Sequence, residues 1–148
     1  MDAIDRSLLN LIQESLPLTA RPYAQVGEML KIPEAEVRER VSRLKDLGII
    51  RRIGAVFDPR KLGFASTLCA AHVPEEKLQG FVEKINAHPE VTHNYRRDHD
   101  YNIWFTLITP GEEALTETLA AIKAETGIAD ILSLRAVRTF KINAKFEM

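Results

Sequence analysis

The sequence predicts an α+β protein in which a helical N-terminal part precedes a domain of alternating strands and helices. In the first 60 residues, apolar side chains recur every three or four positions, as on the buried stripe of a helix. From Gly63 onward, short apolar runs typical of strands alternate with helical stripes. We therefore expect two domains, residues 1–60 and 61–148.

The first domain is predicted to contain three helices and a hairpin. One apolar stripe, formed by Ile4, Leu8, Leu11 and Ile12, marks the first helix. The second and third helices are expected over 22–30 and 33–47, each with a proline in its first turn. Gly48 ends the third helix, and residues 49–57 have the composition of β-structure. This order predicts a winged helix-turn-helix.

The second domain is predicted to have the order βαββαβ. Strands are expected over 64–73, 90–97, 101–109 and 131–140, with helices between the first and second and between the third and fourth. This order is typical of the ferredoxin-like arrangement. Both helices then cover one face of an antiparallel sheet, and the other face is open to a partner or a ligand.

Composition excludes several classes of protein. The chain has 148 residues, of which 45% are apolar, and its formal net charge is −1, which argues against a disordered protein. No apolar run is long enough to cross a membrane, and the acidic start does not resemble a secretion signal. The single cysteine, Cys69, excludes an internal disulfide framework or a multi-thiolate metal site. We expect a cytoplasmic protein with no resident metal.

Charge distribution argues against a nucleic-acid partner. Residues 1–60 hold 10 basic and 9 acidic side chains, and the remainder holds 10 and 12. The third predicted helix is neutral: its basic residues Arg38, Arg40, Arg43 and Lys45 are balanced by Glu34, Glu36, Glu39 and Asp46. Affinity for DNA depends on cations that neutralise phosphates, and neither half has the excess that this requires.

The predicted hairpin at 91–109 concentrates polar aromatic and cationic side chains. Strand alternation places His93, Tyr95 and Arg97 on one face, with Asn94 and Arg96 on the other. The returning strand separates Tyr101, Ile103 and Phe105 from Asn102 and Trp104, and His99 lies in the turn. Arginine binds carboxylates bidentately, and histidine can donate a proton near neutral pH. This hairpin is therefore the candidate site.

Two resemblances to known families follow from these segments. Residues 4–9 (IDRSLL) and 41–50 (VSRLKDLGII), together with the predicted architecture, resemble the Lrp/AsnC family of regulators, in which the third helix enters the DNA major groove. Residues 51–58 (RRIGAVFD) and 93–105 (HNYRRDHDYNIWF) resemble the siroheme decarboxylases, which have the same architecture.

The second resemblance implies an enzyme, a carboxy-lyase. It would remove CO2 from the acetate side chains at ring carbons 12 and 18 of siroheme, giving 12,18-didecarboxysiroheme. No cofactor beyond the substrate siroheme is implied, because the iron belongs to the substrate. The partner implied is a paralogous subunit, in a heterodimer or larger oligomer. The alternatives are an Lrp/AsnC-type DNA-binding transcriptional regulator and a heme-binding sensor without either activity.

Within this hypothesis each candidate residue has an expected role. The catalytic candidates are His93 as proton donor or as the group that orients the leaving carboxylate, Tyr95, and Arg96. The substrate-binding candidates are Arg51, Arg52, Arg97, His99, Tyr101 and Trp104. Either His93 or His99 could ligate the iron instead, and the sequence leaves this open. Trp104 also fits a core or interface position, and Arg51 and Arg52 also fit a contact to the DNA backbone. Cys69, His72 and His88 are interpreted as structural.

Overall fold

A computed structural model describes residues 1–142 and 145–148. The helices are α1 (Ala3–Glu14), α2 (Pro22–Leu30), α3 (Glu34–Asp46), α4 (Leu78–Asn86) and α5 (Glu112–Thr126). The strands are β1 (Ala65–Ala71), β2 (Val91–Arg96), β3 (Ile103–Thr109) and β4 (Ile131–Leu134). The chain divides into two units, a helical unit (residues 1–55 with the described part of 140–148) and a sheet unit (residues 56–139). The α+β class is confirmed.

The helical unit is held together by apolar stripes of its three helices. The buried core consists of Leu8, Leu9, Val26, Val37, Val41, Leu44 and Ile50. An Asp2–Asp5 capping box starts α1. Gly27 in α2 allows a close approach of the chain, because a Cβ there would lie 2.6 Å from the Ile32 carbonyl oxygen. The three helices are thus confirmed where their apolar spacing predicted them.

The predicted wing is wrong: residues 49–57 contain no strand. Residues 51–58 are all exposed, so no apolar burial would hold two short arms together. A two-stranded hairpin without a packed face is marginally stable in water. The end of the chain also differs from the expected fourth strand, because β4 stops at Leu134. The tail instead contacts α1, where the Gln13 side chain exchanges hydrogen bonds of 2.6 and 3.0 Å with the Phe146 backbone.

The sheet unit has the predicted ferredoxin-like topology. Its four antiparallel strands lie in the order β2-β3-β1-β4, and α4 and α5 pack on one face. Alternate residues of β1 and β3 form the core with these helices, among them Cys69, Phe105 and Leu107. The opposite face, here called the open face, carries the other residues of each strand. Its side chains include Leu68, Tyr95, Leu132 and Leu134, which are 40–53% exposed.

Candidate active site

The β2–β3 hairpin presents its polar aromatic residues on the open face. His93 pairs with Thr106 and Tyr95 pairs with Trp104, so these four side chains share one face. A bulge at Thr92 makes this possible. Val91 pairs with the core residue Leu107, whereas His93, two positions later, pairs with Thr106 and points to the open face. Without the extra residue, regular alternation would place Val91 and His93 on the same face.

The exposed groups on this face contact one another. The rings of His93 and Tyr95 are stacked, with centroids 6.2 Å apart and planes at 25°. The Arg97 guanidinium lies 5.3 Å from the centroid of the Trp104 ring, a cation–π contact. Trp104 Nε1–H donates to the Tyr101 carbonyl oxygen at 2.7 Å, which fixes the indole. The structure thus brings together an imidazole, a phenol, a guanidinium and an indole, as alternation predicted for the first three.

The turn between the two strands is organised around Tyr101. Its backbone N–H donates to His99 Nδ1 at 3.0 Å, and the two rings stack at 6.3 Å. Its hydroxyl donates to Asp130 Oδ1 at 3.1 Å, and this hydrogen bond raises the pKa of Tyr101. The His72 ring meets the Tyr101 ring edge-on at 6.4 Å. Neither Asp130 nor the contact made by His72, which the sequence indicates only as structural, is evident from the sequence, because both residues are distant from the hairpin in the chain.

Asn102 ties the hairpin to the segment that follows β1, a role that the sequence did not reveal. Its side chain accepts from the Val73 N–H at 3.0 Å and donates to the Val73 carbonyl oxygen at 2.8 Å, as a strand backbone would. Its own carbonyl oxygen accepts from the Arg97 N–H at 2.8 Å. The position of Arg97 relative to the sheet is therefore set through Asn102.

Arg96 is directed away from the open face. It pairs with core residue Ile103, and its guanidinium forms an ion pair of 2.9 Å with Glu75. Its neighbour Arg97 lies on the open face, so the structure separates the two arginines. The predicted catalytic role of Arg96 stays a prediction, and the geometry gives it no contact with His93 or Tyr95.

Arg51 and Arg52 belong to the helical unit, where both are exposed. Their predicted contact with substrate stays a prediction. Cys69 is fully buried in the core of the sheet unit, and burial raises the pKa of its thiol to about 12. A thiol with that pKa is protonated at neutral pH, which agrees with its interpretation as a small core residue.

The arginines of α3 are engaged by carboxylates of the same unit. Arg40 donates to Asp2, Asp5 and Glu36 at 2.7–2.9 Å. Arg43 donates to both oxygens of Asp5, at 2.7 and 2.9 Å. Burial of Asp5 opposes ionisation, but the Asp2 N–H and the two guanidiniums outweigh it and lower the pKa of Asp5 to about 2.

The part of the chain that the structure describes holds neither a candidate membrane-spanning helix nor a candidate metal site. None of the described helices is both long and apolar enough to cross a bilayer. In residues 1–142 and 145–148, no group of three or more histidine, cysteine, aspartate or glutamate side chains could hold a metal ion.

Two families match separate parts of the chain. Residues 61–141 match the family described as AsnC-like ligand binding domain, and residues 5–51 match the siroheme decarboxylase NirDL-like HTH domain. Structural similarity extends to more distant proteins: Escherichia coli AsnC superposes with a TM-score of 0.80 at 19% identity, over 97% of each chain. At that identity the likeness concerns the fold alone.

Relatives at higher identity are siroheme decarboxylase subunits. The alpha subunit from Desulfovibrio desulfuricans is 53% identical over all of this chain and 85% of its own length. The NirG subunit from Stutzerimonas stutzeri is 40% identical over 99% of both chains.

A solved structure of the siroheme decarboxylase NirDL with an iron-uroporphyrin III analogue superposes with a TM-score of 0.72 at 33% identity. It covers 97% of this chain, which spans only 48% of the NirDL chain, about half its length. The match to the alpha subunits over the whole chain decides the assignment between regulators and enzymes of the same fold. The chain belongs to the siroheme decarboxylase subunits of the AsnC-like family.

Proposed function

We propose that this chain is a subunit of an enzyme that removes CO2 from the acetate side chains at ring carbons 12 and 18 of siroheme, giving 12,18-didecarboxysiroheme. The observation that carries the proposal is the group of His93, Tyr95, Arg97 and Trp104 on the open face of the sheet. A flat, polyanionic macrocycle requires aromatic walls and cations, and this face offers both.

Arg97 supplies the positive charge. Within the described residues it forms no ion pair with a carboxylate, and its partner is the Trp104 ring. A guanidinium above an indole keeps its planar edge available for a carboxylate of the ligand. We assign Arg97 to a peripheral carboxylate of siroheme and Trp104 to contact with the macrocycle.

His93 handles the proton. Loss of CO2 breaks the bond between the carboxylate and the methylene carbon, and the electron pair left on that carbon delocalises into the adjacent pyrrole. A proton delivered to the same carbon completes a methyl group. His93 is an exposed imidazole on the open face, and we assign the hydroxyl of Tyr95, whose ring stacks on His93, to orienting the reacting side chain. No further cofactor is required, because the macrocycle accepts the electron pair.

The partner proposed is a second, related subunit. The matched NirDL chain is about twice as long as this one, which is enough for two such architectures in a single polypeptide. Here the second architecture would come from another chain, a paralogue in a heterodimer or larger oligomer.

A DNA-binding function receives less support. Arg40 and Arg43 already bind carboxylates of the helical unit, and Arg38 forms an ion pair of 2.7 Å with Glu34. Contact with DNA phosphates would have to break these pairs, which offsets the electrostatic gain of binding.

The test is an anaerobic incubation of the purified chain with siroheme, with and without a paralogous siroheme decarboxylase subunit, followed by mass spectrometry of the tetrapyrrole. Loss of two CO2 units supports the proposal. An unchanged mass with the paralogue present, together with retarded migration of promoter DNA, would support the regulator instead.

A further inference from the structure

The ladder between β1 and β3 ends with a side chain in the place of a strand backbone. Its last pair is Ala71 with Ile103, so two residues further on Val73 would pair with Tyr101. Residues paired in that way exchange their backbone hydrogen bonds. Both backbone groups of Val73 instead bind the Asn102 side chain. The Val73 N–H donates to Oδ1 at 3.0 Å, and its carbonyl oxygen accepts from Nδ2 at 2.8 Å.

The substitution of side chain for backbone leaves both backbone groups of Tyr101 to the turn. The Tyr101 carbonyl oxygen accepts from Trp104 Nε1–H at 2.7 Å, and its N–H donates to His99 Nδ1 at 3.0 Å. In a regular ladder both groups would be directed at Val73, and the N–H has only one hydrogen to donate. The indole of Trp104 therefore has its acceptor because Asn102 occupies Val73.

The backbone of Asn102 completes the ladder on the other side, towards β2. Its carbonyl oxygen accepts from the Arg97 N–H at 2.8 Å. The Arg97 guanidinium lies 5.3 Å from the centroid of the Trp104 ring. Asn102 thus sets Arg97 through its backbone and Trp104 through its side chain, so one residue aligns both members of the cation–π pair.

We infer that Asn102 is a positioning residue for siroheme binding, which imitates a strand backbone and thereby holds Arg97 and Trp104 in their arrangement on the open face. The inference rests on the proposed function for its ligand. A primary amide offers the donor and the acceptor of a peptide unit, which is why its side chain can end a ladder. Asn102 acts through its two neighbours, so its loss should impair binding of siroheme and spare the chemical step.

Two substitutions and a matched control separate this role from packing. Asn102→Ala removes both hydrogen bonds to Val73. Asn102→Asp has nearly the same size but turns a carboxylate towards the Val73 carbonyl oxygen, so it loses the donor and keeps the volume. Asn94→Ala is the control, because Asn94 lies in the same hairpin and its side chain donates to Asn86 of α4 at 3.0 Å.

Proton exchange of the Trp104 indole in the full chain without siroheme tests the positioning. The chain has one tryptophan, so one NMR signal reports the bond to the Tyr101 carbonyl. We expect exchange with water to accelerate about fivefold or more in both Asn102 variants, and less than about twofold in Asn94→Ala. Unchanged exchange in Asn102→Asp, or equal acceleration in the control, would overturn the inference.

The unsubstituted chain supplies a measurement that does not depend on how the variants fold. The Asn102 Nδ2–H bonded to Val73 should exchange at least about fivefold more slowly than a solvated carboxamide. Exchange at the solvated rate would overturn the inference.

Kinetics of the complete enzyme test the consequence for siroheme. We expect KM to rise about tenfold in both Asn102 variants while kcat changes less than about threefold, because the proton is assigned to His93. A merely structural role would lower the active fraction, so kcat would fall at an unchanged KM, and that result would overturn the inference. Failure of the unsubstituted enzyme to bind siroheme would refute the proposed function, whereas the exchange data would still decide whether Asn102 positions Trp104.

Discussion

In the helical unit the arginines of α3 face carboxylates, whereas on the open face of the sheet unit Arg97 faces an indole. Arg40 and Arg43 converge on Asp5, whose side chain is 1% exposed. Arg97 has no carboxylate partner among the described residues and lies over Trp104. The same residue type therefore stabilises one unit and remains available to an anionic ligand in the other.

This difference explains how one architecture serves two purposes. A helix-turn-helix that binds DNA needs unpaired cations on its third helix, and here those cations hold α1 against α3. The sheet unit instead has an open face on which an imidazole, a phenol and a guanidinium are exposed. These groups are not part of the buried core that holds the unit together. Function is expected where charge is unsatisfied, and the following substitutions test each side of the comparison.

The largest effect is expected from His93→Ala on the open face. We expect turnover to fall by a factor of about 10² to 10⁴, the usual contribution of a general acid, while siroheme affinity changes little. Single-turnover kinetics with a separate binding titration measures both. His88→Gln is the control, because His88 follows α4 and its Nε2 lies 3.1 Å from Glu125 of α5, one of the two helices that cover the face opposite to the open face. Unchanged turnover in His93→Ala would exclude His93 as the proton donor.

The second effect concerns the helical unit. Asp5→Ala leaves Arg40 and Arg43 without their shared carboxylate, and we expect the free energy of unfolding of this unit to fall by about 3 kcal/mol. Glu39→Ala is the control, since Glu39 is an exposed acid of α3, the helix that carries Arg40 and Arg43. The single tryptophan, Trp104, lies in the sheet unit, so its fluorescence reports that unit while far-ultraviolet circular dichroism reports both. A circular dichroism transition that does not move would show that these ion pairs add no stability.

The pH dependence of the free energy of unfolding in acid provides an independent measure of the same ion pairs. The pKa of Asp5 is lowered from 3.8 to about 2, so its ionised form stabilises the fold above pH 4. That stabilisation is lost as the pH falls from about 4 through about 2. We expect Asp5→Asn to flatten the pH dependence of stability in this range. Identical acid profiles for both proteins would contradict the assignment.

A smaller effect is expected from Arg97→Ala, with Arg96→Ala as its matched control. Loss of Arg97 should weaken siroheme binding by about tenfold or somewhat more, because a charge-assisted hydrogen bond to a carboxylate is lost. Arg96 lies on the other face with Glu75, and its removal should change affinity by less than about twofold, as for an exposed ion pair. Equal losses in a fluorescence titration would show that the face of the sheet does not decide which arginine binds.

The sequence predicted those features that depend on local periodicity. The faces of β2 and the limits of α2 follow from spacings of two and of three to four residues, which are visible over short windows. The neutrality of α3 was also visible, but its pairing with Asp5 was not, because the partners are 35 and 38 residues apart. Asp130 and Asn102 escaped prediction for the same reason. The wing failed because a β-like composition does not create a partner surface.

The smallest effect is expected from Tyr101→Phe, which decides whether the Tyr101 hydroxyl binds substrate or positions the turn. The hydroxyl donates to Asp130 at 3.1 Å in an exposed setting, so its removal should weaken siroheme binding by no more than about threefold. If the hydroxyl acts through this bond, Asp130→Ala has the same effect and the double substitution adds nothing. If it binds siroheme directly, Tyr101→Phe weakens binding more than Asp130→Ala, and the two effects add. A double-mutant cycle of siroheme affinities therefore shows whether Tyr101 binds the ligand, as proposed for Arg97, or stabilises the fold, as Asp5 does.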